Sequence, residues 1–337
     1  MPLTGKKTKI RNNASVKIAG IDIGTNTLRL MIAELRSVQG RVLIRPIFES
    51  RRITRLGEGI VESGRLSPSA MTRTLQALRE FRTACTEHPV GRIIAVATSA
   101  VREAENRPLF LDRVKEEAEF DVEVISGEEE ARRTLLGVRY GLGENNSNLL
   151  VIDIGGGSTE WMVVTEGRVQ ETRTFDIGVV KLTDRYLVTD PPSAENQKQL
   201  IQAIEDRFRP MGPSVGRLSG HRFVGVAGSV TTLAALELGL ATYDPSRVQN
   251  MRLGFARVES WYRKLVGMTL DERRRLVGLE KGREDLIVAG TALLWVAMRM
   301  AGAREAAVSD FGLREGILID WFERNVMAEM KQEGDGP

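Results

Sequence analysis

The chain has 337 residues, of which 42% are apolar and 28% charged, and its formal net charge is +3. This composition is typical of a soluble globular protein with two domains. A single cysteine, Cys85, excludes an intrachain disulfide framework and indicates a reducing, cytoplasmic location. The two histidines, His88 and His221, have no acidic cluster beside them, which argues against a histidine-rich metal site and a Ser-His-Asp triad.

Both ends of the sequence are predicted to be tails. Residues 1–16 carry basic residues and no acid, so we expect a disordered basic tail, and it lacks the apolar core of a secretory signal. Residues 329–337 are expected to fray. The basic stretch is short and has no aromatic platform beside it, so nucleic acid is not expected as a partner.

An internal repeat organises the sequence between these tails. Residues 17–35, KIAGIDIGTNTLRLMIAEL, align with residues 148–166, NLLVIDIGGGSTEWMVVTE. Each copy contains an apolar strand, Asp-Ile-Gly, a short polar turn and a second apolar strand, a pattern that predicts a β-hairpin with a polar tip. Two copies about 130 residues apart predict two related domains that face each other. The aligned pairs are Asp22 with Asp153, Gly24 with Gly155, Thr27 with Ser158, and Arg29 with Glu160.

The remaining segments alternate between strands and helices, which predicts an α/β fold with mixed sheets covered by helices. The pattern over 65–85 predicts an amphipathic helix, with Ser67 as its cap and Pro68 as its first helical residue. The apolar run 286–298 is too short to cross a bilayer, so it predicts a buried helix and no membrane partner. Strand-then-helix patterns occupy 91–107, 122–142 and 221–240, and a final amphipathic helix is predicted over 309–327.

The glycine-rich tips are suited to binding an anion. Glycines at 155–157 permit positive φ and let backbone N–H groups approach a ligand, while Ser158 adds a hydroxyl donor. Alone, this pattern is equally consistent with an ordinary tight turn. The duplicate tip, DIGTNT, favours a two-sided clamp for a phosphate chain. The sequence contains neither GxxxxGK[ST] nor a complete dinucleotide-binding motif.

Acidic residues flank the second tip. A carboxylate beside a phosphate site repels the ligand unless a cation lies between them, so Asp153 and Glu160 are candidate ligands for Mg²⁺, directly or through water. The structural alternative is that Asp153 accepts N–H bonds from its own turn. Asp22 is the equivalent candidate in the first copy.

The segment ISGEEEAR supplies a further acid. Ser126 and Glu129 predict a capping box, and Glu128 suits the positive end of the helix dipole. Glu130 has no such structural explanation. A carboxylate at that position, close to bound phosphates, is able to accept a proton from an attacking water, although the spacing alone does not separate this role from that of an ordinary helix residue.

Positive groups should balance a polyanion. Arg102 follows a predicted strand end, and Arg29 lies on an otherwise apolar strand where it needs an anionic partner. Lys181 is a third candidate cation. The segment GVAGSVTTL forms another glycine turn into a helix, so Gly228 and Ser229 are candidates for contact with an anion or a nucleotide at the helix N-terminus.

Six ordered motifs, IDIGTNTLRL, ATSAVREA, ISGEEEAR, LVIDIGGGSTE, GVAGSVTTLA and SDFGLREG, resemble the exopolyphosphatase/guanosine pentaphosphate phosphohydrolase family. The resemblance covers about residues 17–322. It implies the actin-like ATPase superfold, with two ribonuclease-H-like domains and an active site in the cleft between them. On this basis we expect domain I at 17–134, domain II at 135–308, and a C-terminal helix at 309–328 that packs back toward domain I.

The resemblance also implies an activity and a set of site residues. Members hydrolyse the terminal phosphate of inorganic polyphosphate, of guanosine pentaphosphate, or of both, with Mg²⁺ or Mn²⁺; polyphosphate, (p)ppGpp and a second copy of the chain are thus the expected partners. By motif, Glu130 matches the general base, and Asp153 and Glu160 match the metal-holding acids. The expected phosphate-binding residues are Gly24, Thr25, Asn26, Thr27, Arg29, Arg102, Gly155, Gly156, Gly157 and Ser158, with Asp22, Lys181, Gly228 and Ser229 as additions.

One departure from the family pattern and three alternatives follow. Many relatives carry a C-terminal helical domain with a histidine-aspartate motif, which these 337 residues do not contain, so lower processivity on long polyphosphate is expected.

Guanosine pentaphosphate is the alternative substrate. A sugar or acetate kinase of the same superfold, and a non-catalytic guanosine tetraphosphate sensor, are the alternative classes; ISGEEEAR argues against the first, and intact acids argue against the second.

Overall fold

A computed structural model of the chain describes residues 15–143, 146–215, 218 and 220–328. Most of the predicted basic tail, residues 1–14, and the predicted frayed end, residues 329–337, lie outside the described residues. Ser15 and Val16, which were assigned to the tail, begin the first strand.

Eleven strands in the described residues form two mixed sheets. The strands are β1 (Ser15–Ile23), β2 (Thr27–Val38), β3 (Arg41–Ile53), β4 (Arg92–Ala97), β5 (Val122–Val124), β6 (Leu149–Ile154), β7 (Thr159–Thr165), β8 (Arg168–Phe175), β9 (Arg222–Val226), β10 (Arg252–Gly254) and β11 (Glu305–Ser309).

The two sheets share one topology, which confirms the internal repeat and the two-domain α/β prediction. The first sheet has the order β3-β2-β1-β4-β5, and the second has β10-β11-β9-β6-β7-β8. In each, three antiparallel strands are followed by a parallel fourth and fifth, and β10 adds an antiparallel edge to the second sheet. We refer to the first sheet with its covering helices as the first domain and to the second sheet with its helices as the second domain.

Helices cover both sheets and connect them. They are α1 (Ile60–Ser63), α2 (Pro68–Glu87), α3 (Ser99–Glu103), α4 (Arg107–Ala118), α5 (Gly127–Leu142), α6 (Val179–Tyr186), α7 (Ala194–Phe208), α8 (Gly212–Val215), α9 (Ala227–Leu238), α10 (Pro245–Val248), α11 (Phe255–Val266), α12 (Leu270–Arg274), α13 (Ile287–Met300) and α14 (Leu313–Phe322).

Two helix predictions are confirmed in detail. The Ser67 side chain caps α2 by accepting a bond from the Ala70 N–H, and Pro68 occupies the first helical position. The apolar run 286–298 forms most of α13, which is almost entirely buried in the second domain. No helix in the described ranges combines the length and apolar character needed to span a bilayer.

The final helix differs from its prediction. Ser309 ends β11, and α14 begins only at Leu313, followed by a π-helical turn over Glu323–Met327. The helix is buried on nearly every side rather than amphipathic. The reason is its position: Leu318, Ile319 and Phe322 pack on the first sheet, while the opposite face meets α5.

The boundary predicted between residues 134 and 135 falls inside α5. Leu135 and Val138 of this helix pack on the second sheet, and α14 packs on the first sheet, so the two helices lie back to back between the domains. Glycines permit the close approach. A Cβ atom at Gly137 would lie 2.0 Å from the Gly312 carbonyl oxygen, and one at Gly316 would lie 1.8 Å from the Arg133 carbonyl oxygen.

This contact predicts that Gly316→Ala destabilises the protein. Although alanine favours a helix, its methyl group would force the α5 and α14 backbones apart, at a cost of about 1–3 kcal/mol in the free energy of unfolding. Denaturant titration should show this loss, whereas Gly254→Ala, where a Cβ meets nothing within 4 Å, should change stability little. Equal stability of the two variants would contradict the packing argument.

Candidate active site

One cleft between the domains brings together most of the predicted site residues. Its walls are the first tip (residues 24–27, between β1 and β2), the second tip (residues 155–158, between β6 and β7), the start of α5 and the start of α9. Predicted residues that line it are Asp22, Gly24, Thr25, Asn26, Thr27, Arg29, Glu130, Asp153, Gly155, Gly156, Gly157, Gly228 and Ser229.

The two tips have the same turn. The Gly24 N–H donates to the Thr27 carbonyl at 3.1 Å, and the Gly155 N–H donates to the Ser158 carbonyl at 3.0 Å. None of the tip glycines uses the positive φ that glycine permits. Glycine is required because a side chain would not fit. A Cβ atom at Gly24 would lie 2.9 Å from the Thr27 carbonyl oxygen, and one at Gly155 would lie 2.8 Å from the Ser158 carbonyl oxygen.

The tips also contact each other across the cleft. A Cβ at Gly156 would lie 2.9 Å from the Thr25 Cβ, and one at Gly157 would lie 2.3 Å from the Ser99 hydroxyl oxygen. The second tip therefore fits against the first only because it lacks side chains. This approach places backbone amides of both domains around one small space.

The acids of the repeat lie next to the tips in cross-strand register. Asp22 is opposite Arg29 in the first hairpin, which provides the anionic partner predicted for that arginine. Asp153 is opposite Glu160 in the second hairpin. Asp153 also accepts a bond from the Thr134 hydroxyl of α5 at 3.1 Å, so its partner is a side chain rather than its own turn.

Glu160 is the least compensated of these acids. Its side chain is 1% exposed, and neither carboxyl oxygen has a hydrogen-bond partner in the described part of the chain. Burial raises the pKa of Glu160 well above its usual value, and the charges of Glu130 and Asp153 raise it further. The nearby Ser158 and the charge of Arg102 act the other way, so the described residues compensate this buried carboxyl group only in part.

The other carboxyl groups of the cleft share this property. Burial raises the pKa of Asp22 to about 6, against the opposing effect of Arg29. Burial also raises the pKa of Asp153, although the bond from Thr134 and the charge of Arg29 act the other way. Together with Glu160, these groups form a cluster of carboxyl groups in which burial disfavours the ionised form.

Glu130 lies in the first turn of α5, is only 8% exposed and lines the cleft. Arg102 donates to its carboxylate at 3.1 Å and to the Ile125 carbonyl at 2.9 Å, which fixes the guanidinium against the helix start. Burial, despite the opposing charge of Arg102 and with a further contribution from the nearby Asp153, raises the pKa of Glu130 to about 8. Such a group is a stronger base than an ordinary carboxylate.

The neighbouring glutamate has a structural role. Ser126 caps α5 by accepting a bond from the Glu129 N–H at 3.1 Å, but the reciprocal half of the predicted capping box is absent from the bonds of these described residues. Arg132 and Arg133 each donate to the Glu129 carboxylate at 2.7 Å and hold its pKa down to about 2. The Glu129 carboxylate is thus paired with arginines of its own helix, whereas the Glu130 carboxyl group lies at the cleft.

A third turn completes the wall on the side of the second domain. Ala227 adopts φ of +72°, a conformation that costs free energy for a residue with a Cβ atom and is concentrated at functional sites. Gly228 and Ser229 follow in the first turn of α9 and line the cleft. The free N–H groups of this helix end favour an anion.

Arg283 is a cation of the cleft that the sequence analysis missed. Its side chain is 7% exposed and bonds Glu280 at 2.6 Å and, more weakly, the Thr27 hydroxyl at 3.4 Å. A Cβ at Gly228 would lie 2.3 Å from its guanidinium, which explains why glycine stands there. Arg283 lies in a loop without a motif, so no pattern distinguished it from surface arginines. Thr98, Gly312 and Leu313 also line the cleft without having been predicted.

Four predicted residues do not line the cleft. The ammonium group of Lys181 pairs with Glu103 and Asp176 beside a different cavity. Lys181 lies in the first turn of α6, two residues after Val179, which does reach the cleft. Arg102 faces Glu130, and Ser158 and Glu160 are buried, so phosphate contact by Arg102 and Ser158 and metal binding by Glu160 remain predictions.

The carboxyl groups are chemically suited to a hard divalent cation, because Mg²⁺ prefers carboxylate oxygens as ligands. The two carboxyl oxygens of Glu160 have no hydrogen-bond partner among the described residues. The carboxyl groups are not a preassembled cage: within the described residues no three acidic, cysteine or histidine side chains form a group that could hold a metal by themselves. This suits Mg²⁺, which keeps several waters and often binds through one or two carboxylates plus ligand phosphates.

The unpaired state of Glu160 predicts a pH-dependent gain of stability in Glu160→Gln. The pKa of Glu160 is higher in the folded protein than in the unfolded chain, so its stabilising effect is full below the unfolded value and declines as pH rises. With metal chelated, the variant should match the wild type near pH 5 and become more stable toward pH 8, by up to about 1.4 kcal/mol per pH unit.

Denaturant titration at several pH values measures this difference. The exposed Glu116→Gln is the matched control and should show a stability difference that does not grow with pH. A Glu160→Gln variant that is less stable than the wild type at pH 8 would show that Glu160 is ionised and compensated in the folded protein.

Comparison with known proteins identifies relatives that align with most of this chain. Exopolyphosphatase 2 of Mycobacterium tuberculosis is 33% identical over 91% of this chain and 98% of its own length. The guanosine-5'-triphosphate,3'-diphosphate pyrophosphatase of Photobacterium profundum is 30% identical over 93% of this chain, which spans 61% of that protein.

Solved structures show the same architecture. The Ppx/GppA family member of Aquifex aeolicus is 35% identical, with a TM-score of 0.76 over 93% of this chain and 99% of that one. An exopolyphosphatase from Cytophaga hutchinsonii is 28% identical, with a TM-score of 0.84 over 91% and 98%. These structures confirm the predicted fold. The profile of the Ppx/GppA phosphatase family matches residues 31–325, and the chain belongs to that family.

Proposed function

We propose that the protein is an exopolyphosphatase that removes the terminal phosphate of inorganic polyphosphate. The observation that carries the proposal is the position of Glu130, a buried carboxyl group with a pKa of about 8 that faces a cleft between two amide-lined tips. A relative that aligns with 91% of this chain and 98% of its own length is named an exopolyphosphatase.

The cleft supplies the groups that bind a terminal phosphate. Residues of both tips and of the start of α9 line one space, and Arg29 and Arg283 add positive charge to its lining. Hydrolysis of a phosphoanhydride passes through a loose transition state, so positioning and charge stabilisation provide most of the acceleration. Groups fixed by two domains provide both.

Glu130 is the proposed catalytic residue. Its carboxylate accepts a proton from a water, whose oxygen attacks the terminal phosphorus, and the shortened polyphosphate leaves with the electron pair of the broken P–O bond. The raised pKa of Glu130 makes its carboxylate a better proton acceptor near neutral pH. Arg102 holds this carboxylate at the helix start.

Asp153 and Glu160 are the proposed holders of Mg²⁺ or Mn²⁺. When bound, the cation would neutralise phosphate charge and allow carboxylates to lie beside a polyanion. Thr134 orients Asp153 through its hydrogen bond. Glu160 is the carboxyl group whose two oxygens lack a hydrogen-bond partner among the described residues, so a cation would stabilise it most.

Guanosine pentaphosphate is the second candidate substrate. The Photobacterium relative is named for an activity on guanosine-5'-triphosphate,3'-diphosphate, and this chain aligns with it over 93% of its own length. Both substrates end in a phosphoanhydride that the same tips and base would treat alike. Steady-state phosphate release from short polyphosphate, long polyphosphate and guanosine pentaphosphate distinguishes the two substrates.

The assignment of Glu130 predicts that Glu130→Gln lowers phosphate release by at least about 10²-fold, the lower range for loss of a general base. Binding of tripolyphosphate, followed by calorimetry, should persist because the amide is similar in size. Glu128→Gln is the matched control: it alters an exposed glutamate in the same helical turn and should leave release unchanged. Full activity in Glu130→Gln would refute the role.

The metal assignment predicts that chelation abolishes phosphate release and that added Mg²⁺ restores it. Asp153→Asn should raise the Mg²⁺ concentration needed for half-maximal release by about tenfold or more, because one anionic ligand is lost. A titration of release against Mg²⁺ measures the shift. An unchanged metal requirement in both Asp153→Asn and Glu160→Gln would contradict the assignment.

A further inference from the structure

Residues 54–57, directly after β3, brace the first tip from behind. The N–H groups of Thr54 and Arg55 both donate to the Asn26 carbonyl, at 3.1 and 3.0 Å, and the Gly57 N–H donates to the Thr25 carbonyl at 2.8 Å. Arg55 adopts φ of +51°, which is uncommon for a residue with a long side chain. Such strain persists only where surrounding contacts enforce it.

The side chain of Arg55 crosses to the second domain. Its two terminal nitrogens lie 2.8 and 3.0 Å from the two carboxylate oxygens of Asp285, and one of them also lies 3.2 Å from the Gly282 carbonyl oxygen. This is a bidentate pair of the kind that fixes geometry as well as energy. Both side chains are about one-third exposed, so the pair contributes little to global stability.

Asp285 is the last residue of a short segment of the second domain, residues 280–285, which places Arg283 at the cleft. At the other end of the segment, Glu280 pairs with Arg51 of β3 at 2.6 Å and with Arg283 at 2.6 Å. Contacts to β3 and to the residues just after it therefore secure the segment on both sides of Arg283. Between these contacts, the Arg283 guanidinium lies against Gly228 of one domain and the Thr27 hydroxyl of the other.

We propose that Arg55 and Asp285 are positioning residues, whose ion pair holds Arg283 over the first tip when the two domains are together. The inference rests on the proposed function, in which Arg283 meets the substrate's phosphates. The Arg55 side chain does not line the cleft, so it acts through Arg283. Stability would change little, whereas the geometry of the phosphate site would change considerably.

The test is a mutant cycle between the ion pair and Arg283. Arg55→Ala and Asp285→Ala should each lower kcat/KM for tripolyphosphate by about 10- to 100-fold, the range expected when a binding group is displaced by about 1 Å. In the Arg283→Ala background, Arg55→Ala should cause no further loss, because the group that it positions is already gone. The midpoint of thermal unfolding should change little in the single variants.

Arg52→Ala is the matched control. Arg52 is the neighbouring arginine of β3 and forms an exposed ion pair with Glu80 at 2.9 Å, within the first domain, so its loss should leave kcat/KM unchanged. The swapped variant Arg55→Asp with Asp285→Arg should recover part of the activity lost in either single substitution. The inference is overturned if Arg55→Ala matches Arg52→Ala, or if its effect is equally large with and without Arg283.

Failure of the proposed function is a separate outcome. A wild-type protein that releases no phosphate from any of the three substrates refutes that function. The same cycle is then measured as the affinity for tripolyphosphate by calorimetry, where a non-additive loss supports the positioning role. Additive losses, or no binding by the wild type, overturn it.

Discussion

Several carboxyl groups buried around one cleft are the constraint on which the rest of this structure depends. Burial raises the pKa of Glu130, Asp153 and Glu160, and the charge of Asp153 raises the pKa of the two glutamates further. Such a cluster is costly unless protons or cations compensate it. Arg102 and Arg29 provide part of the compensating positive charge. A cation bound together with a phosphate ligand would provide the remainder.

The fold creates this cluster by bringing two copies of one hairpin together. Each copy places an aspartate beside its tip, and the absence of side chains at Gly156 and Gly157 lets the second tip meet the first. Helix α5 adds Glu130 from its first turn, and the glycines Gly137 and Gly316 let this helix pack closely on α14. Stability in this region is thus provided by close packing behind the site, while the site itself retains uncompensated charge, as expected of a functional centre.

Local patterns in the sequence were sufficient for the hairpins, the capped helix α2 and the buried helix α13. They were insufficient where a residue's role depends on distant contacts. Arg283 and Lys181 look alike as isolated cations, yet the former reaches the cleft over Gly228 and the latter pairs with Glu103. Gly156 and Gly157 permit a close approach between domains that no local pattern encodes. The predicted boundary after residue 134 falls inside α5, which packs on the second sheet although it follows the first in sequence.

Proton release on ligand binding tests this account most directly. Calorimetry of Mg²⁺ with tripolyphosphate at pH 7, in buffers of different ionisation enthalpy, reports the number of protons exchanged by the protein after correction for the ligand's own protons. The account predicts a net release from the wild type that decreases in Glu130→Gln and in Glu160→Gln. Binding without proton release, or with equal release in these variants, would show that the carboxyl groups are already ionised and would contradict it.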